Sequence, residues 1–115
     1  MAYTYLFFHP LRLPLASHEL SGETVLPLDD PAAVRSALEE VIPGIRWVSA
    51  REGRTEVQGQ WMEFFLRPEV GTLGLRCSLR ADYQPIVQRL CDELGWLAFD
   101  EQPVCYQPHR LPMPA

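Results

Sequence analysis

The stretch from Ala81 to Asp100, ADYQPIVQRLCDELGWLAFD, constrains the fold of this chain more than any other, because it spells a complete helix, its stop signal and the strand after it. Asp82 stands before the helix as an N-cap whose carboxylate can accept from the unpaired amides of the first turn, and Pro85 comes early enough for its missing amide to cost little. Ile86, Val87, Leu90, Cys91 and Leu94 recur at helical spacing and leave Gln84, Gln88, Arg89, Asp92 and Glu93 for water. Gly95 follows the last apolar position, where a left-handed residue commonly ends a helix. Trp96, Leu97, Ala98 and Phe99 then have the composition of a short buried strand. A helix with one buried face that leads straight into a strand predicts helices packed on a sheet.

The rest of the chain reads in the same terms. Ala2 to Phe8, aromatic and β-forming, makes a first strand that His9-Pro10 should end. Residues 9–29 follow neither period and read as a long loop with a short extended piece around Thr24 to Leu28. Asp30-Pro31 opens a helix whose apolar face is Val34, Ala37, Leu38 and Val41, and Pro43-Gly44 closes it. Ile45 to Ser49 reads as a strand, Arg51-Glu52-Gly53-Arg54 as a turn, and Thr55 to Gln60 as the returning strand, with Gly59 marking a bulge. Trp61 to Leu66 continues the extended structure. Leu73, Leu75, Cys77 and Leu79 alternate with Gly74, Arg76 and Ser78, which marks a strand with one wet face. The expectation is an α+β two-layer sandwich, a mostly antiparallel sheet with two helices on one face, following the ferredoxin-like plan β-α-β-β-β-α-β. Residues 1–108 form a single domain and 109–115 a C-terminal tail.

Composition narrows the functional classes. A chain of 115 residues is long enough for one self-supporting core, and no apolar run approaches the ~20 residues that cross a bilayer, so no membrane role is expected. The N-terminus lacks the basic region of a signal peptide, which points to a cytoplasmic protein. A formal charge of −5 argues against nucleic acid as a partner, and the ten cationic side chains are dispersed along the chain. All are arginine; without lysine there is no Schiff-base chemistry, no pyridoxal-phosphate anchor and no P-loop lysine. Cys77, Cys91 and Cys105 form no CxxC pair and read as free thiols in a core, while His9, His18 and His109 stand in no ligand spacing. Neither a metal nor a cofactor is expected.

Two sets of side chains remain as candidates. In the first, Asp92, Glu93, Asp100 and Glu101 make an acidic edge suited to a protein partner with a basic surface, and Trp61 belongs to a second, aromatic contact surface. In the second, His9, Glu63 and Cys77 would supply polar groups to a pocket between sheet and helices, where Glu63 is either a carboxylate that the apolar setting of WMEFFL tunes for acid–base work or a solvent-facing residue on the exposed side of the sheet. Small size, acidity, an aromatic first strand and the ending LCDELGWLAFDEQ resemble small bacterial α+β proteins of the toxin-immunity type. That resemblance implies a cytoplasmic protein that binds and blocks a toxin by occlusion and carries over no catalytic residue. The expectation is therefore a non-enzymatic protein-binding domain, in its sharpest form an immunity or antitoxin-like inhibitor. The alternative is a small homodimeric ferredoxin-like enzyme or small-molecule-binding protein.

Overall fold

A computed structural model describes residues 2–13, 17–21, 23–57, 59–67, 69–79, 81–102 and 104–114. Strand β1 (Ala2–Pro10) leads through a 3-10 turn (Ser17–Glu19) to β2 (Val25–Leu26), then helix α1 (Pro31–Val41). Four strands follow, β3 (Arg46–Trp47), β4 (Glu52–Val57), β5 (Gln60–Arg67) and β6 (Thr72–Ser78). Helix α2 (Gln84–Leu94) precedes β7 (Leu97–Phe99), β8 (Val104–Tyr106) and β9 (Met113–Pro114). The strands pair in the order β3-β4-β5-β6-β1-β7-β8-β9, every pair antiparallel, and β2 pairs the far end of β1.

The helix ends follow from local chemistry. The Asp30 carboxylate accepts from the amides of Ala32 and Ala33, and Pro31 occupies the first turn, where its missing N–H is no loss. Asp82 accepts from the Gln84 amide, although the cap position itself belongs to Tyr83. Gly95 closes α2 with φ of 71°, a left-handed conformation that costs glycine nothing, and its amide donates to the Cys91 carbonyl.

Both helices bury their apolar stripes, Val34, Leu38 and Val41 on α1 and Val87, Leu90 and Cys91 on α2, in one core. That core also takes alternate residues of the central strands: Tyr5 and Phe7 of β1, Met62, Phe64 and Leu66 of β5, and Leu73, Leu75 and Cys77 of β6. Since side chains alternate across a strand, both helices lie on one face of the sheet, and the residues of opposite parity face away from them.

Several boundaries differ from expectation. β1 runs on through His9 and Pro10, because the hairpin to β2 pairs them with Leu26 and Val25 at the sheet's margin, where proline's missing donor is tolerated. Residues 51–54 are not a turn. The reversal comes earlier, where the Ser49 hydroxyl accepts from the amides of Arg51 and Glu52, and Gly53 lies inside β4. Gly53 is glycine for a packing reason: a Cβ there would meet Ile45 Cγ2 and Trp47 Cε3 at 2.8 Å. Gly59 forms the β4–β5 turn with φ of 79° instead of a bulge. Within residues 109–115, Met113 and Pro114 return to the sheet against Cys105 and Val104.

Candidate functional site

The sheet face turned away from the helices carries a row of charged side chains set by strand register. Strand register places Arg46 opposite Arg54, Arg54 opposite Glu63, and Glu63 opposite Arg76, so four side chains form one row across β3, β4, β5 and β6. Directly opposed side chains on antiparallel strands stand about 5 Å apart at Cβ. Even so, among the described residues no carboxylate oxygen comes within 4.0 Å of a guanidinium nitrogen of Arg46, Arg54 or Arg76. These three guanidinium groups are left to the solvent.

Aromatic rings flank the row. Trp61, opposite Glu56, is 37% exposed. Phe65 lies across Gly74, where a Cβ would run into its ring, and the Arg67 guanidinium covers it at 5.4 Å from the centroid. Because the ring lies down on the sheet, an open depression of about 520 Å³ remains above it, with Arg51, Arg54, Arg67 and Arg76 around its wall. A second depression of about 560 Å³ adjoins it, sharing Arg54 and Glu63 and extending to Arg46 and Trp61. Five of the ten arginines thus surround this face, Arg51 among them paired with Glu69 at 3.5 Å, and the carboxylates that line the two depressions are Glu52, Glu56 and Glu63.

The acids singled out from the sequence each have a local partner. Glu101 Oε2 accepts from the Thr4 amide at 2.7 Å, and Asp100 accepts from the amides of Gln102 and Val104 and from the Tyr106 hydroxyl. Glu93 pairs with Arg89 one helical turn earlier at 2.6 Å. Asp92 Oδ1 accepts from the His109 amide at 2.6 Å and from Gln88 Nε2 at 2.9 Å. Partial burial of Asp92 works to raise its pKa, but these donors outweigh it and hold the carboxyl below its ordinary value. Trp61 stands apart from these acids, on the arginine face.

His9, Glu63 and Cys77 do not converge. Cys77 points into the helix-side core, and Glu63 has the opposite parity on the neighbouring strand. His9 is six residues along β1 from Tyr3, the residue opposite Cys77, a distance of ~20 Å in extended chain. The lateral neighbours of Glu63 are the arginines Arg54 and Arg76, on the side of the sheet away from the helices, which is the solvent-facing alternative and not the apolar setting of WMEFFL. Cys77 does line a cavity of about 220 Å³ with Tyr3, Tyr5, Asp82 and Asp100. It is smaller than the ~300 Å³ at which ligand pockets usually begin, and one of its main polar groups, Asp100, is already bonded to the Tyr106 hydroxyl.

Comparison with family models, with curated proteins and with solved structures gives no match for this chain.

Thiol chemistry at Cys77 meets an electrostatic obstacle. Burial, with the Glu101 carboxylate adding to it, pushes this thiol up to about 11, and burial pushes Cys91 up to about 12 and raises Cys105, from an ordinary 9.0. A thiol held protonated at neutral pH is a weak nucleophile. The native protein should therefore react slowly with a thiol reagent at neutral pH, and all three cysteines should react at once on denaturation. The same shifts carry a sign for stability. The unfolded chain ionises these thiols first, so their contribution is complete below pH 9.0 and declines as pH rises toward the folded values. A urea midpoint that falls above pH 9.0 is the expected readout, and rapid native-state labelling of Cys77 would contradict it.

Proposed function

We propose that this chain is a non-enzymatic protein-binding domain whose contact surface is the helix-free face of β3 to β6. The observation that carries this reading is the row Arg46, Arg54, Glu63 and Arg76, its guanidinium groups unpaired beside the exposed ring of Trp61. Arginine and tryptophan are the side chains that dominate the energy of protein interfaces, and an arginine without an intramolecular acid gives up no existing ion pair on binding. The acids that a basic partner would need are bonded within the fold, which moves the contact surface to the arginine side. Occlusion of a partner by such a face is the manner of action of an immunity-type inhibitor, and that remains the sharpest form of the proposal.

The ferredoxin-like plan is part of the same reading. The partial order β7-β1-β6-β5, with α1 between β1 and β5 in sequence and α2 between β6 and β7, is that of a βαββαβ unit. β3 and β4 extend it at one edge and β8 and β9 at the other. The extension toward β3 supplies Arg46 and Arg54, two of the three arginines in the row.

Affinity capture from the native lysate tests the proposal with two variants confirmed as folded by circular dichroism. Capture of one stoichiometric protein by the wild type should vanish in Arg54→Glu/Trp61→Ser and persist in Asp92→Asn/Glu93→Gln. Loss only in the second variant would transfer the interface to α2.

A further inference from the structure

Resting on the reading above, we infer that the arginine face docks a short acidic protein segment, one that presents two carboxylates on either side of a hydrogen-bond donor. Arg54 and Arg76 lie on strands separated by one strand, a spacing of about 10 Å, with Glu63 midway between them. Their pattern is cation, anion, cation. Each guanidinium can take a carboxylate in a two-pronged contact, and the Glu63 carboxylate is satisfied by a backbone amide, hydroxyl or ammonium placed between those two acids. Trp61 offers apolar area at the margin of the row.

A nucleic acid strand fits this face less well. Its phosphates repeat without an intervening donor, so Glu63 would stand unpaired against negative charge on both sides. The chain carries −5 overall, and half of its arginines lie on this one face. The remaining surface is accordingly strongly acidic and repels a long polyanion wherever it leaves the sheet. The four strands span only about 15 Å, against a longest molecular dimension of 35 Å. At physiological salt, charges beyond ~8 Å are screened, so a compact acidic segment meets the arginines without sensing the rest of the molecule.

Fluorescence anisotropy of a short labelled glutamate–serine peptide tests the inference, with an oligodeoxythymidylate of equal charge as comparison. The peptide should bind the wild-type protein, lose about tenfold or more in affinity in Arg54→Gln/Arg76→Gln, and weaken steeply as salt is raised. Arg89→Gln on α2 should leave binding unchanged. Tighter binding of the oligonucleotide than of the peptide would overturn the inference, as would peptide binding indifferent to Arg54 and Arg76. If the peptide fails to bind while partner capture still depends on Arg54 and Trp61, the contact face stands and its acidic occupant falls. If capture is also indifferent to that face, both fall.

Discussion

Replacing Phe7 by alanine is expected to cost about 3–5 kcal/mol, a large share of the 5–15 kcal/mol that stabilises a domain. Phe7 is fully buried on β1, the strand that joins the β3–β6 side of the sheet to the β7–β9 side. Its cross-strand neighbours, Leu73 and Ala98, are almost without exposure, and its ring meets that of Trp96 edge-on at 6.0 Å. No flexible surface side chain stands ready to collapse into the space, so the transfer and cavity costs add. The midpoint of thermal unfolding should fall by roughly 10–20 °C. Leu6→Ala, one residue earlier, is the internal control: Leu6 faces away from the helices and is 41% exposed, and its truncation should cost about 1 kcal/mol or less. Equal losses at the two positions would mean that the strand presents the wrong face to the core.

The second large effect is at Asp100. Its Oδ1 accepts from the amides of Gln102 at 2.9 Å and Val104 at 2.8 Å, and its Oδ2 from the Tyr106 hydroxyl at 3.2 Å. These bonds shape the reversal from β7 to β8 and tie it to a fully buried tyrosine. Asp100→Ala removes both acceptor oxygens, and with them all three hydrogen bonds, and leaves donors in a part-buried turn without partners, a loss of about 2–4 kcal/mol. Asp100→Asn keeps one carbonyl oxygen for the two amides and should cost about 1 kcal/mol. Chemical denaturation of both variants measures the difference. An Asp100→Ala protein of wild-type stability would show that this acid is not needed by the turn, and would return it to consideration as a contact residue for a basic partner.

These two positions show unequal legibility in the sequence. The alternation that buries Phe7 and exposes Leu6 can be read from the pattern of β1 once its partners are known, and the alternation in Leu73, Leu75 and Cys77 was plain without them. Asp100, by contrast, read as part of an acidic edge with Glu101, because spacing along the chain cannot place the hydroxyl of Tyr106 beside Asp100 or the amide of Thr4 beside Glu101. Gly53 misled in a similar way. A glycine among Arg51, Glu52 and Arg54 has the composition of a turn, yet its missing Cβ serves the close approach of Ile45 and Trp47.

Local chemistry was enough to specify the two helices. Asp30 with Pro31 begins α1, and the stripe Val87, Leu90 and Cys91 with Gly95 sets the buried face and the end of α2, because caps and helical periodicity act within a turn or two of the chain. The arginine face had no such local signature. Arg46, Arg54, Glu63 and Arg76 are separated by eight to thirteen residues and read along the chain as scattered, solvated charges. Three strand registers bring them into one row, and register is a property of paired strands, chosen by which alternate residues the core can bury. Burial of Met62, Phe64, Leu75 and Cys77 on the helix side is what turns Glu63 and Arg76 to the other.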